Sequence, residues 1–220
     1  MSAFIIGSTG LCGNFILKHS PEYYKKIFSL GRSEPDNASD SKIQVILEKD
    51  STKWAEKLQE VEGPIDAFFS GLGTTRAKAG GLDKQYKIDY DLNLEMAKAA
   101  KAKGVKKYVL ISSIGASSGS MFPYLKMKGE LEDAVLKLDF ENTIILRPGI
   151  LLGERKEQKW FGNKYFGIVA GWTAGTPLAR FAMSPIHGED VALAALKLAA
   201  KPTTEKVTIV TGVEVNAAAK

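Results

Sequence analysis

The sequence predicts an α/β fold, a doubly wound parallel sheet with helices on both faces, and three observations predict it. Short β-branched or aromatic runs alternate with longer segments of helical pattern along the chain. The runs are apolar throughout, as strands covered on both faces are. A glycine-rich turn joins the first run to the first helical segment, where such folds need backbone without side chains.

The strands are expected at residues 3–6, 26–30, 43–47, 65–70, 108–112, 143–146 and 207–210. Right-handed crossovers between parallel neighbours then place helices on both faces. The clearest helix spans about 83–103, where Tyr86, Tyr90, Leu94, Met96 and Ala97 lie near helical spacing and Gly104 is its stop. A second runs from about 120 to 138 with Pro123 in its first turn, and a third covers 188–200. Residues 33–41 and 71–81 read as loops, the first polar and the second glycine-rich. Beyond Pro148 the pattern turns irregular, so a small C-terminal substrate lobe is expected at about 150–190 within a single domain of 1–220.

Composition bounds the class. With 220 residues, 45% of them apolar, the chain buries roughly 70% of its unfolded surface and needs no staple. Cys12 is the only cysteine, which excludes an internal disulfide and a Cys-rich zinc site; no metal centre is expected. A net charge of +5 suits a phosphate-bearing small ligand and falls short of a nucleic-acid partner. Lys98, Lys101, Lys103, Lys106 and Lys107 read as a solvated helix end. The apolar run after Met1 is too short for a signal or transit helix, and no run approaches the ~20 residues that span a bilayer, so a cytoplasmic chain without a transmembrane segment is expected.

The turn Gly7-Ser8-Thr9-Gly10-Leu11-Cys12-Gly13 follows the first strand directly and opens the first helix. Gly7 permits the tight turn, Gly10 admits a pyrophosphate, and Gly13 lets helix and strand approach, while helix N–H groups face the anion. The turn points to the dinucleotide-binding, Rossmann-type version of the fold; the alternative is a merely structural turn. Cys12 is expected to fill a small buried space. After the second strand come Gly31, Arg32 and Ser33, with no acidic side chain for a ribose 2′-hydroxyl. Arg32 suits a 2′-phosphate, so NADP(H) is favoured over NAD(H); the alternative is a solvated loop arginine. Asp50 and the run Ser70-Gly71-Leu72-Gly73 fall where neighbours of adenine and pyrophosphate would lie.

Ser112 and Ser113 close the fifth strand, and Tyr124 and Lys128 lie one turn apart on the helix after it. A tyrosine with a reference pKa of about 10 needs roughly 4 kcal/mol of charge stabilisation to act as an acid at neutral pH, and Lys128 with an oxidised nicotinamide would supply it. Alone, the pair reads as an ordinary amphipathic surface; the serines and the glycine turn make it a candidate proton-transfer set. Ser113 is preferred to Ser112 because it is nearer Tyr124 and lies beyond the strand.

Gly7, Gly10 and Gly13 with Ser113, Tyr124 and Lys128 resemble the short-chain dehydrogenase/reductase superfamily. Arg147-Pro148-Gly149 and residues 186–192 resemble its extended and atypical members. More narrowly, residues 7–13, 74–81, 126–130 and 146–149 resemble the fungal mitochondrial-proteome family of the FMP52 type, relatives of an animal NADPH-binding atypical reductase, the Tat-interactive protein. The resemblance implies a carbonyl reductase: Ser113 hydrogen-bonds the substrate oxygen, Tyr124 donates the proton, and Lys128 holds the nicotinamide ribose and favours the phenolate. Tyr124, Lys128, Pro148 and Gly149 then join the cofactor's surroundings, and peripheral association with the mitochondrial outer membrane is implied. One departure is Asp89, which stands where many superfamily members carry an asparagine of the catalytic set.

Two other functions compete. An NADPH-binding regulatory protein with little turnover would share the fold. A serine hydrolase would use Ser117 in Gly115-Ala116-Ser117-Ser118-Gly119 with Asp139 and His187, although Ser117 lies past the strand-to-helix corner such an elbow requires. Residues 160–183 hold Trp160, Phe161, Tyr165, Phe166, Trp172 and Phe181 among four glycines and are expected to form a mobile cover selecting apolar or aromatic carbonyl substrates; the alternatives are aromatics that pack the small second lobe and a membrane-surface or partner contact.

Overall fold

The computed structural model describes residues 1–152 and 185–220. Its strands are β1 (Ser2–Ile6), β2 (Lys26–Gly31), β3 (Ile43–Leu47), β4 (Ala67–Ser70), β5 (Lys107–Ile111), β6 (Asn142–Arg147), β7 (Leu151–Leu152), β8 (Ile186–His187) and β9 (Val207–Thr211). Its helices are α1 (Leu11–His19), α2 (Trp54–Glu60), α3 (Arg76–Ala79), α4 (Leu82–Tyr86), α5 (Asn93–Ala102), α6 (Pro123–Leu136), α7 (Gly188–Ala200) and α8 (Val213–Ala219). Seven strands form one sheet in the order β3-β2-β1-β4-β5-β6-β9, every pair parallel; β7 and β8 form a separate parallel pair. The chain runs outward from β1 to β3, then returns to β4 on the other side of β1. That reversal opens a crevice at the carboxyl ends of β1 and β4.

All five residues of β1 and all four of β4 are buried, because each strand has a helical layer on either side. Alternation along β1 divides the core. Phe4 and Ile6 face the layer of α2, α5 and α6; Ala3 and Ile5 face that of α1, α7 and α8. In-register pairing sets Phe4 beside Phe28 and Phe68, and Phe68 beside Tyr108, with stacked rings 6.3, 5.4 and 5.3 Å apart.

The doubly wound parallel sheet is present as expected, and the differences are local. The long helix expected over 83–103 is α4, a π-helical stretch at Lys87–Leu92, and α5. The wider turn carries Asp89 and Leu92 as buried residues, so the apolar period of 3.6 breaks there. Residues 71–81 contain α3, capped by Thr75 accepting from the Lys78 N–H. The helix expected from about 120 begins at Pro123, where proline's fixed φ suits the first position. Of the five lysines expected to form a solvated helix end, Lys98, Lys101 and Lys106 are exposed and Lys103 and Lys107 half-buried; three also reach carbonyls, Lys101 that of Asp139, Lys103 those of Gln59 and Val61, and Lys107 those of Ala199 and Lys201. The expected aromatic cover at 160–183, and most of the expected lobe, lie outside the described residues.

Helix α6 is held to the sheet by contacts that leave no slack. A Cβ on Gly129 would lie 2.1 Å from the Ser117 carbonyl carbon and 2.3 Å from the Ser118 nitrogen, so the helix backbone rests on the turn after β5. One turn on, buried Glu132 accepts a hydrogen bond from Ser112 Oγ at the end of β5 and pairs with Arg147 of β6, Nη2 to Oε2 2.5 Å. Gly129→Ala therefore has backbone, not a movable side chain, to displace. A loss of about 1 to 3 kcal/mol or more is expected. Urea unfolding checks it: the midpoint falls while the slope is unchanged.

Candidate functional site

The crevice is lined first by the glycine turn. After β1, Gly7 adopts φ +78°, a left-handed conformation open to glycine, and the Gly10 N–H bonds its carbonyl at 2.9 Å. A Cβ on Gly7 would lie 2.4 Å from the Gly71 carbonyl carbon, and one on Gly13 only 2.1 Å from the Gly7 oxygen. The turn after β1, the first turn of α1 and the end of β4 thus touch through backbone. Helix α1 has no side-chain cap and no acidic residue in its first turn, and Thr9 and Gly10 are exposed before it. Its first-turn N–H groups and the positive end of its dipole suit an anion. Ser8 ties this turn to β2 through a buried 2.7 Å hydrogen bond between its Oγ and that of Ser29.

Two residues of the run turn away from the crevice. Cys12 is buried in the core with α7, as expected of a small space-filler. Leu11 packs on the start of α7, where a Cβ on Gly188 would stand 2.7 Å from Leu11 Cγ.

Beside the turn, Gly7, Ser8 and Thr9 share a cavity with Leu30, Gly31, Arg32 and Ser33 from the end of β2, and with Trp54 and Leu72. Arg32 is exposed at its rim. Asp50 is not in that lining. Its carboxylate accepts from the Thr52 hydroxyl at 2.7 Å and the Thr52 N–H at 3.1 Å, bonds that hold it below the usual carboxylate range. The wall on that side is Trp54, whose Nε1–H donates to the Glu48 carbonyl. Periodicity carried no signal for it, because Trp54 opens a helix of only seven residues.

The second half of the site is built on α6. Tyr124 is half-buried in its first turn, and Lys128 is 4% exposed one turn later. The Lys128 Nζ lies 3.9 Å from the point where a Cβ of Gly73 would stand. Residues 71–73 therefore connect the two halves, with Gly71 against Gly7 and Gly73 against Lys128. Asn93 fixes this strand end: its Oδ1 accepts from Ser70 Oγ at 2.5 Å and its Nδ2 donates to the Leu72 carbonyl at 3.3 Å. Asn93 was not singled out in the sequence, where a polar residue in a helical run reads as surface.

Of the two serines, Ser112 is engaged with Glu132, while among the described residues the half-buried Ser113 makes only a 3.4 Å contact to the Ile114 carbonyl. The turn bearing Ser113 is braced by Pro148, which is buried and whose carbonyl accepts the Ile114 N–H at 3.0 Å; Gly149 follows, half-buried. Asp89 is 1% exposed and accepts from the Thr74 N–H at 2.7 Å. Burial pushes its carboxyl above the usual range, against the opposing pull of Lys128 and these hydrogen bonds.

Ser117, Asp139 and His187 are not brought together. Ser117 follows β5, whereas Asp139 precedes β6 and binds Lys206 at 2.5 Å. Parallel strands of this length set those two ends about 17 Å apart. Among the described residues no cluster of side chains is arranged to hold a metal ion, and no helix is long and apolar enough to cross a membrane.

Known proteins share this architecture and sequence. The HIM1 family profile matches residues 35–165. "Protein FMP52, mitochondrial" of Candida albicans is 46% identical over 219 residues, covering 96% of this chain and 95% of that protein. The corresponding protein of Saccharomyces cerevisiae is 42% identical over 203 residues, covering 90% and 87%. Among solved structures, UDP-glucose 4-epimerase from Bifidobacterium longum in complex with NAD+ and UDP superimposes with a TM-score of 0.70 at 15% identity, covering 97% of this chain and 81% of that one. That likeness is one of fold, the Rossmann-type sheet. The sequence matches go further: with nearly its whole length aligned to these fungal relatives, the chain belongs to the HIM1/FMP52 family.

Proposed function

We propose that this protein is an NADPH-dependent oxidoreductase that reduces a ketone or aldehyde, with Ser113, Tyr124 and Lys128 as its proton-transfer set. One observation carries the reading: Lys128, one turn after Tyr124, is buried with its ammonium at Gly73, two residues from the backbone contact between Gly71 and the glycine turn. A nucleotide on that turn would have its reactive end at the tyrosine–lysine face. The chain's residues fit such a group: the close backbone approach at Gly7 admits no Cβ, α1 is uncapped, and Arg32 stands at the rim of the adjoining cavity. The NAD+ bound by the epimerase of the same fold supports a nicotinamide cofactor.

In this reading the uncapped α1 N–H groups bind the pyrophosphate, and Gly7, Ser8, Thr9 and Gly10 form its floor. Arg32 pairs with a 2′-phosphate through its planar fork. When bound, the cofactor supplies the hydride. Lys128 holds the nicotinamide ribose and stabilises negative charge on the Tyr124 oxygen. Ser113 donates a hydrogen bond to the substrate oxygen, and Tyr124 gives that oxygen its proton. An apolar or aromatic carbonyl compound is the proposed substrate, and the mitochondrial names of the relatives support a mitochondrial location; peripheral attachment to the outer membrane is proposed beyond what those names say.

Tyr124→Phe tests the chemistry. It is expected to bind NADPH as the unaltered protein does and to lose about two decades or more of turnover in a carbonyl panel followed by NADPH absorbance. Activity retained in Tyr124→Phe would remove the mechanism. NADPH binding without reduction of any carbonyl by the unaltered protein would favour the regulatory reading instead.

Arg32 sets cofactor choice in the same proposal. A charge-assisted contact of about 1.5 to 3 kcal/mol predicts at least a tenfold preference for NADPH over NADH. Dissociation constants for both, measured at one salt concentration, should converge in Arg32→Ala. Equal affinities in the unaltered protein would refute the assignment.

A further inference from the structure

Residues 71–74 form a strap that crosses the crevice from the glycine turn to Lys128, and backbone pairing stops at its first member. The Gly71 N–H donates to the Ile6 carbonyl at 3.0 Å; beyond it, among the described residues, the backbone of Leu72, Gly73 and Thr74 bonds to no other backbone. Three side chains take over. Asn93 Nδ2 donates to the Leu72 carbonyl at 3.3 Å, Asp89 Oδ1 accepts from the Thr74 N–H at 2.7 Å, and Gln85 Nε2 donates to the Thr74 carbonyl at 2.9 Å. All three are buried, being 0%, 1% and 3% exposed in that order.

Gln85, Asp89 and Asn93 follow one another at four-residue spacing through α4, the π-helical stretch and the start of α5. In a continuous α-helix of 3.6 residues per turn, side chains eight residues apart differ in direction by about 80°. The wider π turn takes back part of that rotation, so the outer two rungs reach the same strap. Asn93 also serves the wide turn itself: its Nδ2 lies 3.3 Å from the Ile88 carbonyl oxygen and 3.1 Å from that of Asp89, while its Oδ1 accepts from Ser70 Oγ at 2.5 Å. The side chain that closes the π-helical stretch is thus the one that holds the end of β4 and Leu72.

We propose that Gln85 and Asn93 are positioning residues for the cofactor: they hold the two ends of residues 72–74, and Gly73 between them, in the place that nucleotide binding needs. This rests on the cofactor reading above and deepens it. A dinucleotide reaching from the glycine turn to Lys128 would run along this strap, and Leu72 already lines the cavity beside the turn. Residues outside helix and strand each carry backbone freedom that binding would otherwise have to remove. Two buried amides remove it beforehand, and so add to affinity without touching the ligand.

Three variants test the proposal. Gln85→Met keeps the length of the side chain and removes its donor; Asn93→Ser keeps a hydroxyl for Ser70 and gives up Leu72. Tyr86→Phe, next to Gln85, removes the hydrogen bond from α4 to Glu130 of α6 and leaves the bonds of the strap in place. Each is titrated with NADPH, followed by nucleotide fluorescence at a temperature where every protein is folded. The Kd should be about tenfold higher in Gln85→Met and in Asn93→Ser, and unchanged in Tyr86→Phe. A role in stability alone would lower the urea midpoints and leave the Kd of the folded proteins where it was; that result overturns the proposal, and so does an equal loss in Tyr86→Phe. Should Asn93→Ser fail to fold, Gln85→Met decides the matter. Amide exchange adds a readout that needs no cofactor: the Thr74 N–H should exchange about tenfold faster in Gln85→Met while the amides of β1 keep their rates, and an unchanged Thr74 rate overturns the proposal. Faster exchange at Thr74 in a chain whose unaltered form binds no NADPH would refute the cofactor reading and leave the support of the strap standing, whereas NADPH bound equally by the unaltered protein and both strap variants would do the reverse.

Discussion

Backbone touches backbone where β1, α1 and β4 meet, and the rest of the site depends on that contact. Gly7, Gly13 and Gly71 approach so closely that a single methyl on Gly7 or Gly13 would overlap a peptide group. Peptide planes cannot compress, so the glycines set three things together: the angle at which α1 leaves the sheet, the exposure of its first N–H groups, and the path of residues 71–73 toward Lys128. Sheet order explains why the contact falls here. The reversal between β1 and β4 is where consecutive crossovers lie on opposite sides of β1, and the space between them must be closed by backbone or filled by a ligand.

Helix α6 carries the other half, and it is fixed at two heights. Near its middle Gly129 lets the helix rest on residues 117–118; one turn later Glu132 reaches across to Ser112 and Arg147. Burying such a pair costs desolvation, and its net contribution to stability is small or negative. Its use lies in register. Tyr124, Lys128 and Glu132 share one face at four-residue spacing, so a pair that fixes Glu132 also fixes the height of Lys128 against Gly73.

Much of this was legible in the sequence, for reasons that can be stated residue by residue. Strands buried on both faces show themselves as unbroken apolar runs, so the central strands fell within two residues of their observed bounds. The glycine turn was legible because the backbone approach at Gly7 and Gly13 tolerates nothing else, and Tyr124 with Lys128 because helical spacing is local. Contacts that depend on distant elements left no local trace. Asn93 and Glu132 look like surface residues in a helical pattern until β4 and β6 are placed beside them. Asp50 looked like a cofactor neighbour from its place after β3, yet its short side chain is spent on capping the turn at Thr52, and Trp54 fills the wall. The π-helical stretch was hidden because its extra residue shifts the period only within one turn.

Two buried carboxylates flank Lys128, and their different partners decide their different roles. Glu132 meets a guanidinium that approaches both of its oxygens, Nε at 3.1 Å to each and Nη2 at 2.5 Å to one. An arginine does not lose its proton at any pH the protein meets, so the guanidinium stays a charged, two-oxygen partner and the pair serves as a strut. Asp89 is held by neutral donors, a peptide N–H and an amide, and its opposing charge is Lys128. A carboxylate satisfied by a guanidinium is electrically silent a few ångströms away, whereas one satisfied by peptide dipoles leaves its net charge to act on the nearest ionisable neighbours. By that argument the Glu132–Arg147 pair is a strut between α6 and β6, whereas Asp89 sets a buried carboxyl group beside Gly73.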